Sequence, residues 1–423
     1  MTTTKKIPAL RFPEFEGEWE ENYLGQIFTF KNGVNAEKAK YGQGIKFINV
    51  LDIINNNFIT YDNIIGVVEV SESEFEKNEV KYGDILFQRS SETREEVGQA
   101  NVYLGDKSVT FGGFVIRGRG VQDYDPAFMN YLLKTTKARK EITDKSGGST
   151  RYNVGQETLK EVKIYLSCLE EQKKIGSFLN SIDNKIQQLT KKKALLEQYK
   201  KGLMQQIFNR QIRFKDDNGN DYPDWEELSV QNLIDGNEIT SHLDGNHGAL
   251  YPKSSEFVKE GVPYVTANDF ISGEVDLKNC KYLSIEHANK FKKGVAKDGD
   301  VLFAHNATVG PTALLKTTFD FVILSTTATY FRCDNKNLFN SYFKHYLRSS
   351  FFEKQYVQVM SQSTRNQVPI TTQRKFKIKL PIFSEQQKIA SFLTSIDNKI
   401  NTVNKQLEQT QEYKKGLLQQ MFV

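Results

Sequence analysis

Apolar residues recur every seven positions through two stretches of the chain. Ile175, Ile182, Leu189, Leu196 and Leu203 form one row, and Ile389, Ile396, Val403, Thr410 and Leu417 form the other. This period predicts two amphipathic helices of about 38 residues, each roughly 57 Å long at 1.5 Å per residue. Phe178 and Tyr199, with Phe392 and Tyr413, fill part of a second row that Lys185, Lys192, Lys399 and Gln406 interrupt. A seam that persists for four heptads points to a coiled coil whose natural partner is the other copy. A long helix lying on a core is the plainer alternative. Leu179, Ile186, Leu393 and Ile400 fall outside the seam and are left to pack on the helices of a partner.

The intervening stretches follow another rhythm. KFINV, DILFQ, FVIRG and VKIYL in the first half, and PYVTA, DVLFA, FVILS and FKIKL in the second, are short, β-branched and aromatic, and are bounded by Gly, Asn and Asp. They predict strands. Some helical stretches are expected between them, for instance PAFMNYLLKTTKARKEI from Pro126 and NSYFKHYLRSSFFEKQY from Asn340. The variable blocks therefore read as α+β domains with twisted sheets.

The two helical stretches are copies of one another. EQKKIGSFLNSIDNKI (171–186) and EQQKIASFLTSIDNKI (385–400) agree at 13 of 16 positions, and YKKGLMQQIF (199–208) agrees with YKKGLLQQMF (413–422) at 8 of 10. The offset of 214 holds without a gap, which is internal duplication. Fainter echoes lie upstream: LRFPEFEGEWEE against IRFKDDNGNDYPDWEE, YGDILF against DGDVLF, and STRYNV against STRNQV. Trp19 and Trp225 each precede two glutamates and read as packed aromatics at the entrance of a domain. The expected order is a variable block (1–166), a helix (167–212), a second variable block (213–380) and a second helix (381–423). Ser167 and Ser384 are candidate helix caps.

Composition changes this picture little. A net charge of +5 on 423 residues permits a polyanionic partner without demanding one. Cys168, Cys280 and Cys333 lie far apart, so neither a disulfide framework nor a zinc cluster is indicated. No run approaches the roughly 18 apolar residues needed to span a bilayer, and a cytoplasmic protein without a membrane partner is the expectation.

Catalytic signatures are sparse. There is no GxxxxGK with Ser or Thr for phosphates, and no Pro-Pro to hold a flipped adenine as amino-methyltransferases do. GFVIRGRG (113–120) reads as strand and turn rather than a nucleotide loop. His242, His247, His287, His305 and His345 form no ligand pattern, so no metal is expected.

The order of parts, the RF…EW opening of each half, GDILF and GDVLF, and above all EEQKKIGSFLNSID and SEQQKIASFLTSID resemble the specificity subunit of type I restriction-modification enzymes across essentially the whole chain. The resemblance implies two β-rich target recognition domains joined by two long conserved helices in an antiparallel coiled coil. The arrangement would be pseudo-two-fold and nearly circular, with Val423 near Leu10 and Arg11. It further implies a non-catalytic protein that recognises a bipartite asymmetric target on double-stranded DNA. Its partners would be two methyltransferase subunits and one or two restriction subunits, which would use S-adenosylmethionine, ATP and Mg; this chain would hold no cofactor. Cys168 stands in LSCLEEQ, whereas the second copy has Pro381 at the position of Ser167, and the family usually shows proline before the helix. A coiled-coil scaffold that displays two protein-binding domains remains a different reading of the same pattern.

Base reading needs polar groups on loops, with cations for phosphates. After GDILF the chain offers Arg89, Ser90, Ser91, Thr93 and Arg94; after GDVLF it offers His305, Asn306 and Thr308. An ordinary solvated loop is the alternative. Arg151 and Arg365 occupy matched positions, suited to gripping phosphate or to packing near the helix entrance. Tyr152, Lys253, Ser254, Asn268 and Asn366 complete the candidates. The lysines at 191–193, 200–201 and 414–415 read as solvated helix faces, with DNA or a partner subunit as the alternative.

Overall fold

The computed structural model of the chain describes residues 5–245, 251–362 and 366–423. It divides into two compact units, Met1–Thr190 with Gln406–Val423, and Lys191–Lys405. Each unit takes in one variable block together with a part of both long helices, Leu169–Phe208 and Phe383–Gln420.

In the first unit, Glu20–Tyr23 pairs antiparallel with Lys163–Leu166, so the strand that enters the block lies beside the strand that leaves it for the helix. Between them, Phe28–Asn32, Val115–Gly120, Ile85–Gln88 and Ala100–Val102 form an antiparallel four-stranded sheet in that spatial order. A smaller sheet joins Val67–Val68, Tyr41–Ile48 and Thr110–Phe111. The second unit repeats the plan. Glu226–Ser229 pairs with Lys377–Leu380 around a six-stranded and a five-stranded sheet. All eight apolar segments named above contribute to strands, and GFVIRGRG supplies Val115–Gly120.

GDILF and GDVLF recur for a structural reason. Gly83 and Gly299 adopt φ of +90° and +82°, where a side chain is strained. The next residue turns back: Asp84 accepts from Lys81 N at 2.9 Å and Asp300 from Lys297 N at 2.8 Å. The same carboxylates pair with Arg119 and Arg332 at 2.7 and 2.8 Å, which locks the turn to a neighbouring strand.

The two expected helical stretches are present, each as a pair of helices. Pro126–Lys134 and Thr136–Asp144 are separated at Thr135, whose hydroxyl accepts from Ala138 N. Asn340–Leu347 and Ser350–Ser361 are likewise separate helices, the second capped by Ser349 on Phe352 N. The TT and RSS steps that looked like helix interior are N-caps, which hydroxyl side chains favour.

The RF of each half clamps the start of a long helix. Arg11 meets the buried Glu171 through Nε and Nη2, both at 2.8 Å, and Arg213 meets Glu385 at 3.2 and 2.7 Å. Phe12 packs edge-on to Phe178 at 5.7 Å, and Phe214 to Phe392 at 5.6 Å. Phe178 and Phe392 thus meet the RF segments rather than a helical seam. The glutamine of each EQ grips the chain before its helix: Gln172 donates to Ser167 O and Gln386 to Pro381 O, both at 2.8 Å. Ser167 and Ser384 do not cap. The first helix begins at Leu169, and Ser384 already lies inside the second.

Of the seven-residue rows, Ile175, Ile182, Ile389, Ile396, Val403 and Leu417 are buried, while Leu189, Leu196, Leu203 and Thr410 are half-buried. Tyr199 and Tyr413 leave the second row, with 55% and 57% of their surface exposed. Leu179 and Leu393 are fully buried in the cores of their own units, so they are closed to a partner. In the second unit Lys193 Nζ donates to Asn404 Oδ1 at 2.5 Å, and Lys200 pairs with Asp397. Seven residues forward on one helix is seven back on the other, so the segments run antiparallel there. In the first unit Leu10 N donates to Gln420 O at 2.9 Å, and Phe422 packs against Trp19 and Phe128. The expected meeting of the C-terminal segment with Leu10 is therefore present.

Candidate nucleic-acid interface

The two loops singled out in each block come together. Ser90 and Ser91 pair with Asn153 and Tyr152, and Val154 N donates to Arg89 O at 2.9 Å. In the second block Asn306 bridges Gln367, Val368 N donates to His305 O at 2.8 Å, and Ala307 N to Asn366 O at 3.0 Å. Arg89 N donates to Phe114 O, just as His305 N donates to Thr327 O. Arg89 Nη1 reaches Gly113 O at 3.3 Å, and His305 Nε2 lies at the same distance from Thr326 O. The backbone is thus equivalent in the two blocks while the side chains differ.

Not every candidate is at the surface. His305 is 1% exposed, so its imidazole supports the loop from beneath and cannot meet a ligand there. Ser91 is also buried, its hydroxyl donating to Glu96 at 3.1 Å. Arg89, Thr93, Arg94, Arg151, Thr308, Asn366, Lys253, Ser254 and Asn268 are exposed; Ser90, Tyr152 and Asn306 are half-buried. Arg94 is engaged by Thr143 O and Asp144. Asn268 follows Ala267, whose N–H donates to Thr327 Oγ1, which ties it to the second loop. No such bond links Lys253 to that loop among the described residues. Arg365 and His247 lie outside the described residues. The pattern of residue types missed Phe114, an exposed aromatic beside Arg89; its strand-like context disguised it as core.

The lysine pairs are not uniformly solvated. Lys200 is 5% exposed and paired with Asp397, and Lys414 pairs with Asp183. Burial, then the nearby Arg348, pulls the Lys200 ammonium down to about 8. Tyr131 Oη donates to the other oxygen of Asp183 at 2.7 Å. At the matching place in the repeat, His345 Nδ1 lies 3.9 Å from Asp397. Burial, then Lys344, Lys200 and Arg348, hold this imidazole well below its usual range, so it is neutral and no ion pair forms. His242, stacked on Phe331 and bonded to Gln373, is pushed down to about 3 by burial.

Beside each of these carboxylate sites opens a cavity, of about 360 Å³ in the second unit and 390 Å³ in the first. Lys200, Lys201, Met204 and Gln205 line one; Lys414, Lys415, Leu418 and Gln419 line the other. Arg348 and Ser349 in the first case match Lys134 and Thr135 in the second. The repeat therefore builds the same groove twice. Among the described residues no group of His, Cys, Asp and Glu could hold a metal ion, and no helix is long and apolar enough to cross a membrane.

Comparison with known proteins accounts for this duplication. The model of the type I restriction modification DNA specificity domain matches twice, over residues 16–198 and 237–412. The chain belongs to this family. A specificity subunit of the same length class, that of the type I restriction enzyme MjaVIII from Methanocaldococcus jannaschii, is 25% identical over 98% of this chain and 93% of its own. The solved type I restriction-modification S subunit from M. genitalium superposes with a TM-score of 0.62 at 17% identity, covering 99% of each chain. A chain from a structure of type I R-M complex assembly and conformational transition gives 0.55 at 17% identity, over 95% of this chain and 96% of that one. The mixed helix-and-sheet fold is thus that of a type I specificity subunit, and specificity subunits are in general non-catalytic.

Proposed function

We propose that this chain selects a bipartite, asymmetric target on double-stranded DNA and leaves methylation and cleavage to partner subunits in the cytoplasm. The first block would read one half-site through Arg89, Ser90, Thr93 and Arg151, and the second the other through Asn306, Thr308 and Asn366. The observation that carries this reading is the pair of loops with one backbone and two chemistries: equivalent hydrogen bonds fix Arg89–Ser90 and His305–Asn306 beside Tyr152–Asn153 and Asn366–Gln367. Two readers of different sequences on a common frame need this combination.

The repeated helices would pair as an antiparallel coiled coil that spaces the half-sites, leaving the DNA between them unread. The two equivalent grooves support docking of two copies of one methyltransferase subunit, with one or two restriction subunits joining them. S-adenosylmethionine, ATP and Mg would be used by those partners.

Co-expression with the methyltransferase subunit in an unmodified host, followed by mapping of methylated adenines, tests the proposal. A split motif with one methylated adenine on each strand is expected. Replacing residues 14–165 with the equivalent block of a relative should change one half of that motif alone. A change in both halves, or no methylation by an assembled complex, would sink it.

A further inference from the structure

Phe114 lies at a tight turn between two buried residues, Phe111 and Val115, yet 62% of its own surface is exposed. Single exposed apolar residues are common and carry no message alone. What distinguishes this one is how firmly it is held. Gly112 N donates to Ile48 O, Gly113 N to Val34 O, Val115 N to Gly112 O, and Phe114 O accepts from Arg89 N. A Cβ on Gly113 would fall 1.8 Å from Asn35 Oδ1, so a larger residue there would have to push the Asn35 side chain aside. The backbone is fixed on both sides of Phe114, and its ring makes no ring contact among the described residues. A rigid turn thus displays an aromatic ring beside Arg89 and Ser90.

The second block does something else at the same place. Thr327 is half-buried, and its hydroxyl is spent on Ser325 Oγ at 2.7 Å and on Ala267 N at 3.0 Å. At this backbone position the first block therefore presents an apolar ring and the second a hydroxyl already in use. Apolar contact in the major groove discriminates one base feature, the C5-methyl of thymine, from the polar edges around it. We propose that Phe114 is a specificity-determining residue of the first block, its ring packing on a thymine methyl in the half-site that this block reads. This rests on the DNA-recognition reading above.

The test uses the full chain in complex with its methyltransferase subunit. Wild type and Phe114→Ala are compared by methylation mapping and by binding to duplexes in which each thymine of the target is replaced singly by uracil. For wild type, one uracil in one half-site should weaken binding about fourfold, the worth of one buried methyl. Phe114→Ala should be indifferent to that replacement and should accept other bases at the position, with the other half-site unchanged. Phe114→Leu should retain part of the preference, and its thermal midpoint and that of Phe114→Ala should match wild type. An unchanged motif in Phe114→Ala, or an equal loss at all positions, would overturn the role of Phe114. Absence of any split motif with wild type would instead overturn the DNA-recognition reading.

Discussion

Asp183 and Asp397 hold the same place in the two copies of the repeat, and each is paired with a lysine from the other long helix. Their surroundings differ. Asp183 also accepts from Tyr131 and is fully satisfied; Asp397 Oδ2 is buried without a hydrogen bond, facing a neutral His345 and Arg348 at 3.6 Å. Glu171 and Glu385 show a similar imbalance. Both take an arginine, but only Trp225 donates its indole N–H to the carboxylate, while that of Trp19 is buried without a partner. Duplication has kept the pairs that join helix to helix and helix to block. The side chains arriving from each block have been free to diverge, at some cost in unsatisfied polar groups.

The comparison can be broken most directly by removing the carboxylates. Asp397→Ala strands Lys200, whose side chain is 7% exposed, beside Arg348 and should cost about 3–5 kcal/mol. Asp183→Ala strands Lys414, which is 21% exposed, and should cost less, about 1–3 kcal/mol. The chain's two tryptophans allow each unit to be followed separately in urea: Trp225→Phe leaves Trp19 to report the first unit, and Trp19→Phe leaves Trp225 for the second. Equal losses would show that the surroundings do not matter.

Lys200 sharpens the comparison through pH. Its folded pKa, about 8, lies below the 10.5 of an ordinary lysine, so between these values the unfolded chain binds more protons. Stability of the second unit should therefore rise from pH 8 to pH 10.5, by at most about 3 kcal/mol from this group. Lys200→Met should lack that gain when unfolding is measured across the same range; an identical slope would contradict the burial of the charge. The smallest effect belongs to Tyr131→Phe, which removes one hydrogen bond from Asp183 and should destabilise the first unit by about 1–2 kcal/mol. His345→Phe, which takes no hydrogen bond from Asp397, should leave the Lys200 pair intact.

Much of this was visible along the chain because repeated residues obey repeated geometry. The seven-residue rows marked the long helices, and β-branched runs marked the strands, since both patterns report which side chains leave water. Matching of QRSSETRE with AHNATVG located two loops whose backbones proved equivalent. What remained hidden depended on distance in space. The seven-residue rows do not reveal that Leu179 is claimed by its own block and that Tyr199 faces water, because both lie on apolar-looking helix positions. His305 reads as a polar loop residue; its burial comes with hydrogen bonds to segments distant in sequence, Thr326, Thr327 and Val368. Thr135 and Ser349 broke helices that propensity alone would continue, because a cap becomes decisive where the chain must turn.

The first unit is closed by residues 406–423, among them Leu417, Met421 and Phe422, which are buried in its core. The second unit, by contrast, is one continuous stretch from Lys191 to Lys405. During synthesis the block made first must therefore wait with an open apolar face until residues 406–423, which follow the whole second unit, have emerged. A ribosome that stops early would release a chain whose earliest-made half is the unfinished one, a form that proteases and chaperones recognise by its exposed apolar surface. The order in which the two cores can close thus runs against the order in which their blocks are made.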